Sequence, residues 1–314
     1  MTPLLQRHFL AVDSIYHLSL DTYHLLMIVL PKRYSFSHKG DYGYVLCVGG
    51  SRGMSGAIVL AGLAALKTGA GLVRCAVADS VLPTVAALSA EIMTAPLAED
   101  RFGRISLDAY REIMRLSTAA TVVALGPGLG RSLGLTALVA KLYREIAKPM
   151  IVDADALNAL AERRLFERQF GETGQAEFLP EFPRILTPHP GEFARLLGHP
   201  VPKEEPATQK ERIKLVRDFA ERTGTITLLK GHETIITDGK STTINHTGNP
   251  GMATGGSGDV LTGIIAGLVA QHLSPWDAAV LGTHLHGAAG DRAAEKLGQA
   301  SLTAGTIIDA LATG

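Results

Sequence analysis

From Gly43 almost to the C-terminus, short unbroken apolar runs alternate with longer stretches of helical period. Residues 44–48 (YVLCV), 72–78 (LVRCAVA), 121–125 (TVVAL), 149–153 (PMIVD), 184–187 (RILT), 226–230 (ITLLK) and 233–237 (ETIIT) read as strands, and 241–245 follows after a turn at Asp238-Gly239. Helices are predicted over 56–68, 80–89, 133–146 and 208–222, and the C-terminal part, 258–296 and 302–312, reads as mainly helical. Strands that are apolar at every position belong to sheets covered on both faces. Alternating strand and helix demands crossovers, so the expected fold class is α/β, a mostly parallel central sheet with helices on both faces. The helix at 56–68 is apolar almost all round and rich in Gly and Ala, which requires cover on several sides. Residues 163–183 have no clean period and read as a surface excursion. No internal repeat or linker interrupts the pattern. The expected organisation is one domain over residues 32–314 behind an N-terminal appendage, residues 1–31.

Composition narrows the function classes. The 314 residues carry 30 Lys+Arg and 30 Asp+Glu, so the net charge is zero. Without a basic run, phosphate-backbone binding is not the main task, and no nucleic-acid partner is expected. No stretch of 18 apolar residues exists, so no membrane span is expected. Leu25 to Leu30 is too short for a secretory signal and no small-residue cleavage site follows it. The two cysteines, Cys47 and Cys75, lie inside predicted strands. They read as buried thiols of a protein in a reducing, cytoplasmic compartment.

Candidate chemistry collects after the strands, where open α/β sheets bind ligands. Gly49 to Gly56 follows the first strand and Gly126-Pro127-Gly128-Leu129-Gly130 the 121–125 strand. Asp153-Ala154-Asp155, Thr187-Pro188-His189-Pro190-Gly191-Glu192 and Lys230-Gly231-His232 follow later ones. Turns need glycine in any case, but five such loops on one edge point to a site. The strongest segment runs from Asn249 to Asp259 straight into an apolar helix. Its glycines free backbone N–H groups, and the helix N-terminus adds partial positive charge, which together make an anion cradle. Asp259 sits in the first helical turn. It is either a dipole-compatible residue or a base for a hydroxyl attacking a phosphoryl group. The dipole is expected to lower its pKa. No GxxxxGK[ST] loop, GxGxxG fingerprint or GxSxG elbow is present. His189, held between two prolines, is a candidate ligand contact. Asp153, Asp155 and Glu192 are candidate Mg²⁺ or water ligands near phosphates, with helix capping the equal alternative for Asp155. His284 and His286, mid-helix among Ala and Gly, read as core.

In this order Ser37 to Gly43, Gly49 to Gly56, Gly126 to Gly130, Asp153 to Asn158, Thr187 to Glu192, Lys230-Gly231 and Asn249 to Asp259 resemble the ADP-dependent NAD(P)H-hydrate dehydratases of the ribokinase-like superfamily. The resemblance covers residues 32–312. It implies a metabolite-repair lyase that phosphorylates the ring hydroxyl of the S epimer of hydrated NADH or NADPH with ADP, then eliminates phosphate. The products are NAD(P)H, AMP and phosphate. It implies Asp259 as catalytic base and contact to the hydrated nicotinamide. Lys230, Gly231, His232, Glu233, Thr234 and Gly258 would hold the adenine nucleotide. Ala57 or Ile58, Gly128 and His189 would hold the hydrated cofactor. It further implies Mg²⁺, a homo-oligomer (commonly a tetramer), and a separate epimerase acting on the same substrate. ADP and ATP would present similar terminal phosphates, and the residues do not choose between them. The alternative is an ATP-dependent kinase of a small vitamin-precursor alcohol of thiazole or pyrimidine type, which would share the cradle and Asp259.

Overall fold

The apolar runs become the strands of one sheet. A computed structural model describes residues 28–166 and 179–311. Residues 1–27 of the appendage, 167–178 of the surface excursion, and 312–314 lie outside the described residues. The strands are β1 (Tyr44–Val48), β2 (Leu72–Ala78), β3 (Met93–Leu97), β4 (Val122–Leu125), β5 (Met150–Val152), β6 (Arg184–Leu186), β7 (Ile226–Leu229), β8 (Thr234–Thr237) and β9 (Thr242–Asn245). They lie in the order β3-β2-β1-β4-β5-β6-β7-β8-β9. Pairing is parallel from β3 to β7 and antiparallel for β7–β8–β9. The chain runs one way from β1 to β3 and the other way from β4 onward. The topological switch point therefore lies between β1 and β4, where Val48 pairs with Leu125.

Sequence and structure differ most at β3. Its sequence, MTAPL, is broken by Pro96, which cannot donate to a ladder. The strand is at the sheet edge, where that loss is tolerated. The helices are α1 (Ser55–Thr68), α2 (Leu82–Leu88), α3 (Tyr110–Ala119), α4 (Leu133–Glu145), α5 (Ala154–Glu162), α6 (Pro190–Leu197), α7 (Gln209–Thr223), α8 (Ser257–Ala270), α9 (Pro275–Leu297) and α10 (Ala304–Asp309). The pattern placed no helix at α3 or α6. The helix expected over 80–89 is shortened to α2 behind a 3-10 turn at Asp79–Val81.

Helices α1, α8, α9 and α10 touch one another, as do α3 to α6 in sequence, giving two layers around the sheet. All of β4, β5 and β6 is buried, as a sheet covered on both faces requires. Helices α1 and α8 meet almost backbone to backbone. A Cβ on Gly263 would lie 2.1 Å from the Ala61 carbonyl oxygen, and one on Gly267 would lie 2.7 Å from that of Ala65. The contacts advance together, so the two helices run parallel in constant register. Both N-termini open at the carboxyl edge of the sheet. At the opposite edge the Ser37 to Gly43 segment is architectural. A Cβ on Gly43 would lie 2.0 Å from the carbonyl oxygen of Ala270, the last residue of α8. Cys47 and Cys75 are buried free thiols, paired across β1 and β2. No described helix is long and apolar enough to cross a membrane.

Candidate active site

The N-terminus of α8 is built for an anion. Gly256 caps it with φ 89°, a left-handed conformation that glycine adopts without Cβ strain. No side chain caps the first turn, so its N–H groups stay available to a ligand. It opens into a cleft of about 990 Å³, lined by Asp153, His189, the 230–234 turn, the 245–259 segment and His286. That volume suits a nucleotide.

Below the cradle lies a cluster of buried charge. Asp153, at the end of β5, is 1% exposed. Lys230 Nζ, from the end of β7, donates to Asp153 Oδ1 at 2.8 Å, and Thr262 Oγ1 donates to Oδ2 at 2.7 Å. Lys230 Nζ is also 3.9 Å from Glu192 Oε2. A Cβ on Gly258 would lie 3.2 Å from Lys230 Nζ, so the ammonium borders the cradle. Burial lowers the Lys230 pKa, but Asp153, Glu192 and Asp259 outweigh it and the net direction is up. It stays charged.

Asp259 differs from Asp153. Among the described residues its carboxylate accepts no hydrogen bond. Burial, reinforced by Asp153, Asp155 and Glu192, raises its pKa to about 7 against the opposing pull of Lys230. The helix dipole alone would lower it. Desolvation and three carboxylates outweigh a half-charge at the helix end. The result is a carboxylate poised near neutrality, more basic than expected.

The expected cation ligands are already committed. Asp153 is paired as described. Glu192 closes a capping box on α6, accepting from the His189 backbone N–H at 2.8 Å. Burial raises its pKa to about 7. Asp155 neither caps α5, whose N-cap is Asp153, nor points to a cation: Gly130 N–H donates to its Oδ2 at 2.8 Å. No group of three or more His, Cys, Asp or Glu side chains is gathered as a metal site among the described residues. The place between Asp153 and Glu192 where a Mg²⁺ could stand is filled by the Lys230 ammonium.

His189 is half-exposed at the cleft. Gly191 N–H donates to its Nδ1 at 3.0 Å, which leaves the proton on Nε2. Burial, with Lys230 and Arg195, lowers its pKa, so the ring is a neutral donor at pH 7. Lys230 to Thr234 form the turn between β7 and β8 along one wall. Thr234 Oγ1 donates to the Gly231 carbonyl at 3.0 Å, and Glu233 holds φ 55°, a strained value for a non-glycine residue.

Ala57, Ile58 and Gly128 lie on the other side of Asp259, toward the switch point. Ile58 is fully buried and packs toward Gly49 and Gly50, which removes it as a ligand contact. Ala57 is partly exposed, and its Cβ would be 3.2 Å from a Cβ on Gly128. Gly263 faces Ala61 and Gly267 faces Ala65. Carried one turn toward the N-termini, this register sets Asp259 beside Ala57. The structure thus brings Asp259, Ala57 and Gly128 to one junction, with Lys230, Gly258 and His189 on the cleft side.

Two polar residues escaped the sequence reading. Thr262, one turn beyond Asp259 on the same face of α8, orients Asp153. His286 was read as core, yet it lines the cleft, and its Nε2 is 3.2 Å from Ser257 Oγ. Burial drives its pKa down to about 4, so it is neutral. The signal available was the stripe Thr283, His286, Gly287, Gly290 at helical spacing, small and polar, in the middle of the helix.

A profile of the NAD(P)H-hydrate dehydratase family matches residues 45–313. The chain is 48% identical over 285 residues to the bifunctional NAD(P)H-hydrate repair enzyme Nnr of Moorella thermoacetica, covering 90% of this chain and 51% of that protein. It is 42% identical over 277 residues to the Nnr of Coxiella burnetii, covering 88% and 51%. The chain therefore spans about half the length of these curated relatives. Among solved structures it superposes on the ADP/ATP-dependent NAD(P)H-hydrate dehydratase of Bacillus subtilis, co-crystallised with ATP and Mg²⁺, with TM-score 0.74 and 30% identity over 92% of this chain and 94% of that one. A hydroxyethylthiazole kinase from Pyrococcus horikoshii shares the fold alone, with TM-score 0.55 and 18% identity over 87% and 88%.

Proposed function

The chain belongs to the NAD(P)H-hydrate dehydratase family, and from that premise we propose that it returns the S epimer of hydrated NADH or NADPH to the reduced cofactor with ADP as phosphoryl donor. The observation that carries this reading is the Asp259 carboxylate: partly buried, accepting no hydrogen bond among the described residues, raised toward neutrality, and set between the anion cradle and the Ala57–Gly128 junction.

The nucleotide lies in the 230–258 cleft with its terminal phosphate on the α8 N-terminus. Asp259 orients the ring hydroxyl and accepts its proton as the hydroxyl oxygen bonds to the β-phosphorus of ADP. The bridging bond breaks and AMP leaves. In a loose phosphoryl-transfer transition state that proton moves late, so a base poised near pH 7 suffices. The phosphorylated ring then loses phosphate with the C–O bond pair and a proton from the neighbouring carbon, which restores the ring double bond. Lys230 and the helix N–H groups meet the charge on the transferring phosphoryl. His189, a neutral Nε2–H donor, holds the dinucleotide. Mg²⁺ would enter with the nucleotide phosphates rather than in a site of several protein ligands, and Lys230 supplies the protein's own positive charge beside them. The Bacillus relative is described as ADP/ATP-dependent, which supports adenine nucleotide use and leaves ATP as the second donor to test.

The test mixes the protein with hydrated NADH, Mg²⁺ and either ADP or ATP and follows the dihydronicotinamide absorbance band. A nucleotide-dependent rise with stoichiometric free phosphate is expected. A flat trace with both nucleotides, with phosphorylation of a thiazole or pyrimidine alcohol instead, overturns it.

A further inference from the structure

The cleft accounts for one nucleotide, and a hydrated dinucleotide is too long to end at Asp259. Beyond Ala57 and Gly128 the structure continues into a rim at the switch point, laced from three segments. Gly50 N–H donates to the Pro127 carbonyl at 2.9 Å, Arg52 N–H to the Gly103 carbonyl at 2.9 Å, and Arg104 Nη1 to the Arg131 carbonyl at 2.7 Å. The 99–105 excursion is closed by a bridge between Glu99 and Ile105. Of the cations on this rim, Arg104 is paired with Asp100 and Arg131 with Glu162. Arg52 and Arg101 have no carboxylate partner among the described residues.

Phe102 is 54% exposed, and two guanidinium groups lie near it, Arg101 at 4.7 Å and Arg104 at 4.8 Å from its ring centroid. An exposed aromatic ring held by cations offers a base a stacking platform beside phosphate-binding charge. The rim also surrounds the N-terminus of the 14-residue α1, which has no side-chain cap. Ser51 Oγ beside it is buried with no hydrogen-bond partner among the described residues and lies 3.4 Å from where a Gly130 Cβ would be. An unpartnered buried hydroxyl next to open helix N–H groups is a donor set waiting for a polar ligand.

We propose that Arg52, Arg101 and Phe102 bind the adenosine-phosphate half of the hydrated dinucleotide, Phe102 stacking on adenine and the two arginines meeting its phosphates. The proposal rests on the dehydratase reading, which places the nicotinamide half at Asp259. The rim then sets affinity for the dinucleotide and leaves the phosphoryl donor alone. A 2′-phosphate adds charge at the adenosine end, so NADPH-type ligands depend on the arginines more than NADH-type ones.

The full chain and three variants test it: Arg52→Ala/Arg101→Ala, Arg52→Lys/Arg101→Lys and Phe102→Ala. The double alanine variant is expected to raise KM for hydrated NADPH about tenfold or more, the scale of one lost charge-assisted contact. The effect on hydrated NADH is expected to be smaller, with kcat and KM for ADP unchanged. Lysines should restore part of the affinity, and Phe102→Ala should raise both dinucleotide KM values. A KM for both dinucleotides that is unchanged in all three variants overturns the proposal, as does a loss confined to kcat or shared equally by ADP. Direct binding of NADPH and AMP, read by fluorescence and calorimetry, separates the two readings. If the wild type shows no turnover, the dehydratase reading fails. The rim still stands if NADPH binds and the alanine variant weakens NADPH but not AMP, and falls if the wild type binds no NADPH.

Discussion

Helices α1 and α8 are neighbours with the same approach, a glycine-containing loop leaving a strand and entering an N-terminus that no side chain caps. They run parallel and end at one edge of the sheet, yet their mouths differ. The α8 mouth has its charges underneath, Asp153 and Glu192 buried and Lys230 largely so and ion-paired with them, with Asp259 accepting no hydrogen bond among the described residues. The α1 mouth has its charges on the rim, exposed. Buried charge is costly to hold and strongly felt over short distances, which suits a reacting centre. Exposed charge is screened and adaptable, which suits affinity for a long substrate. The same helix-end geometry thus serves chemistry on one side and binding on the other.

The sharpest way to break this contrast is to remove the base. Asp259→Asn keeps the shape of the α8 mouth but cannot take a proton. Turnover is expected to fall on the order of 10²–10⁴-fold, the scale of a lost general base, with ADP affinity retained in calorimetry. Near-wild-type turnover would strip Asp259 of its role. In the wild type, activity should rise as pH passes through about 7, where Asp259 deprotonates, and this limb should vanish from the residual activity of Asp259→Asn. Stability moves the other way. Asp259 and Glu192 both have folded pKa values raised to about 7, above the unfolded carboxylate range. Their protonated forms favour the fold. That contribution is full below the unfolded pKa and is lost as pH climbs from about 4 to about 7. Urea unfolding at pH 5 and pH 8 checks the sign.

Lys230→Met tests whether the buried cluster holds the α8 mouth together. Removing one partner of a buried pair costs about 3–5 kcal/mol, because Asp153 is left charged and desolvated. Adding Asp153→Asn to the same chain should recover part of that, since Thr262 can still donate to the remaining oxygen. Equal stability of the wild type and the single variant would mean that the Lys230–Asp153 pair contributes nothing.

How far all this was legible in the sequence differs between the two mouths. Strand ends carrying glycine and acid, and the run from Asn249 to Asp259, were visible because helix ends and turns are local. Asp259 could be placed, but not its pKa, since the burial that mainly raises it, and the carboxylates that add to it from the segments after β5 and β6, come from tertiary packing. The pairing of Lys230 with Asp153 joins residues 77 positions apart and exists only because β5, β6 and β7 lie side by side. Asp153 and Glu192 looked like cation ligands for the same reason: the ammonium that occupies their common space was out of local view. His286 was hidden by its helix, where periodicity marks a face but not what the face looks onto. Ile58 and Ala57 are adjacent in sequence, and only the packing of α1 on α8 and the sheet tells which is open.

Gly258→Val sharpens the contrast from the ligand side. Its Cβ would stand 3.2 Å from Lys230 Nζ, inside the cradle. ADP affinity is expected to fall about tenfold or more, read as Kd by calorimetry. An unchanged Kd would move the phosphate away from the α8 N-terminus.

The matching change at the other mouth should do least. Gly56 lies in the first turn of α1, and a Cβ there would meet nothing within 4 Å. Its φ is not in the left-handed region, so alanine fits without strain. Gly56→Ala should raise the unfolding free energy by about 0.4–1 kcal/mol, mostly by restricting the unfolded chain, and leave the ADP Kd where it was. If thermal unfolding shows the gain and ADP binding is untouched, the two glycine-bearing N-termini are separable, one given to the phosphoryl donor and one not. A weakened ADP Kd would join them into a single nucleotide site spanning both helices, and the division of chemistry from binding would have to be redrawn.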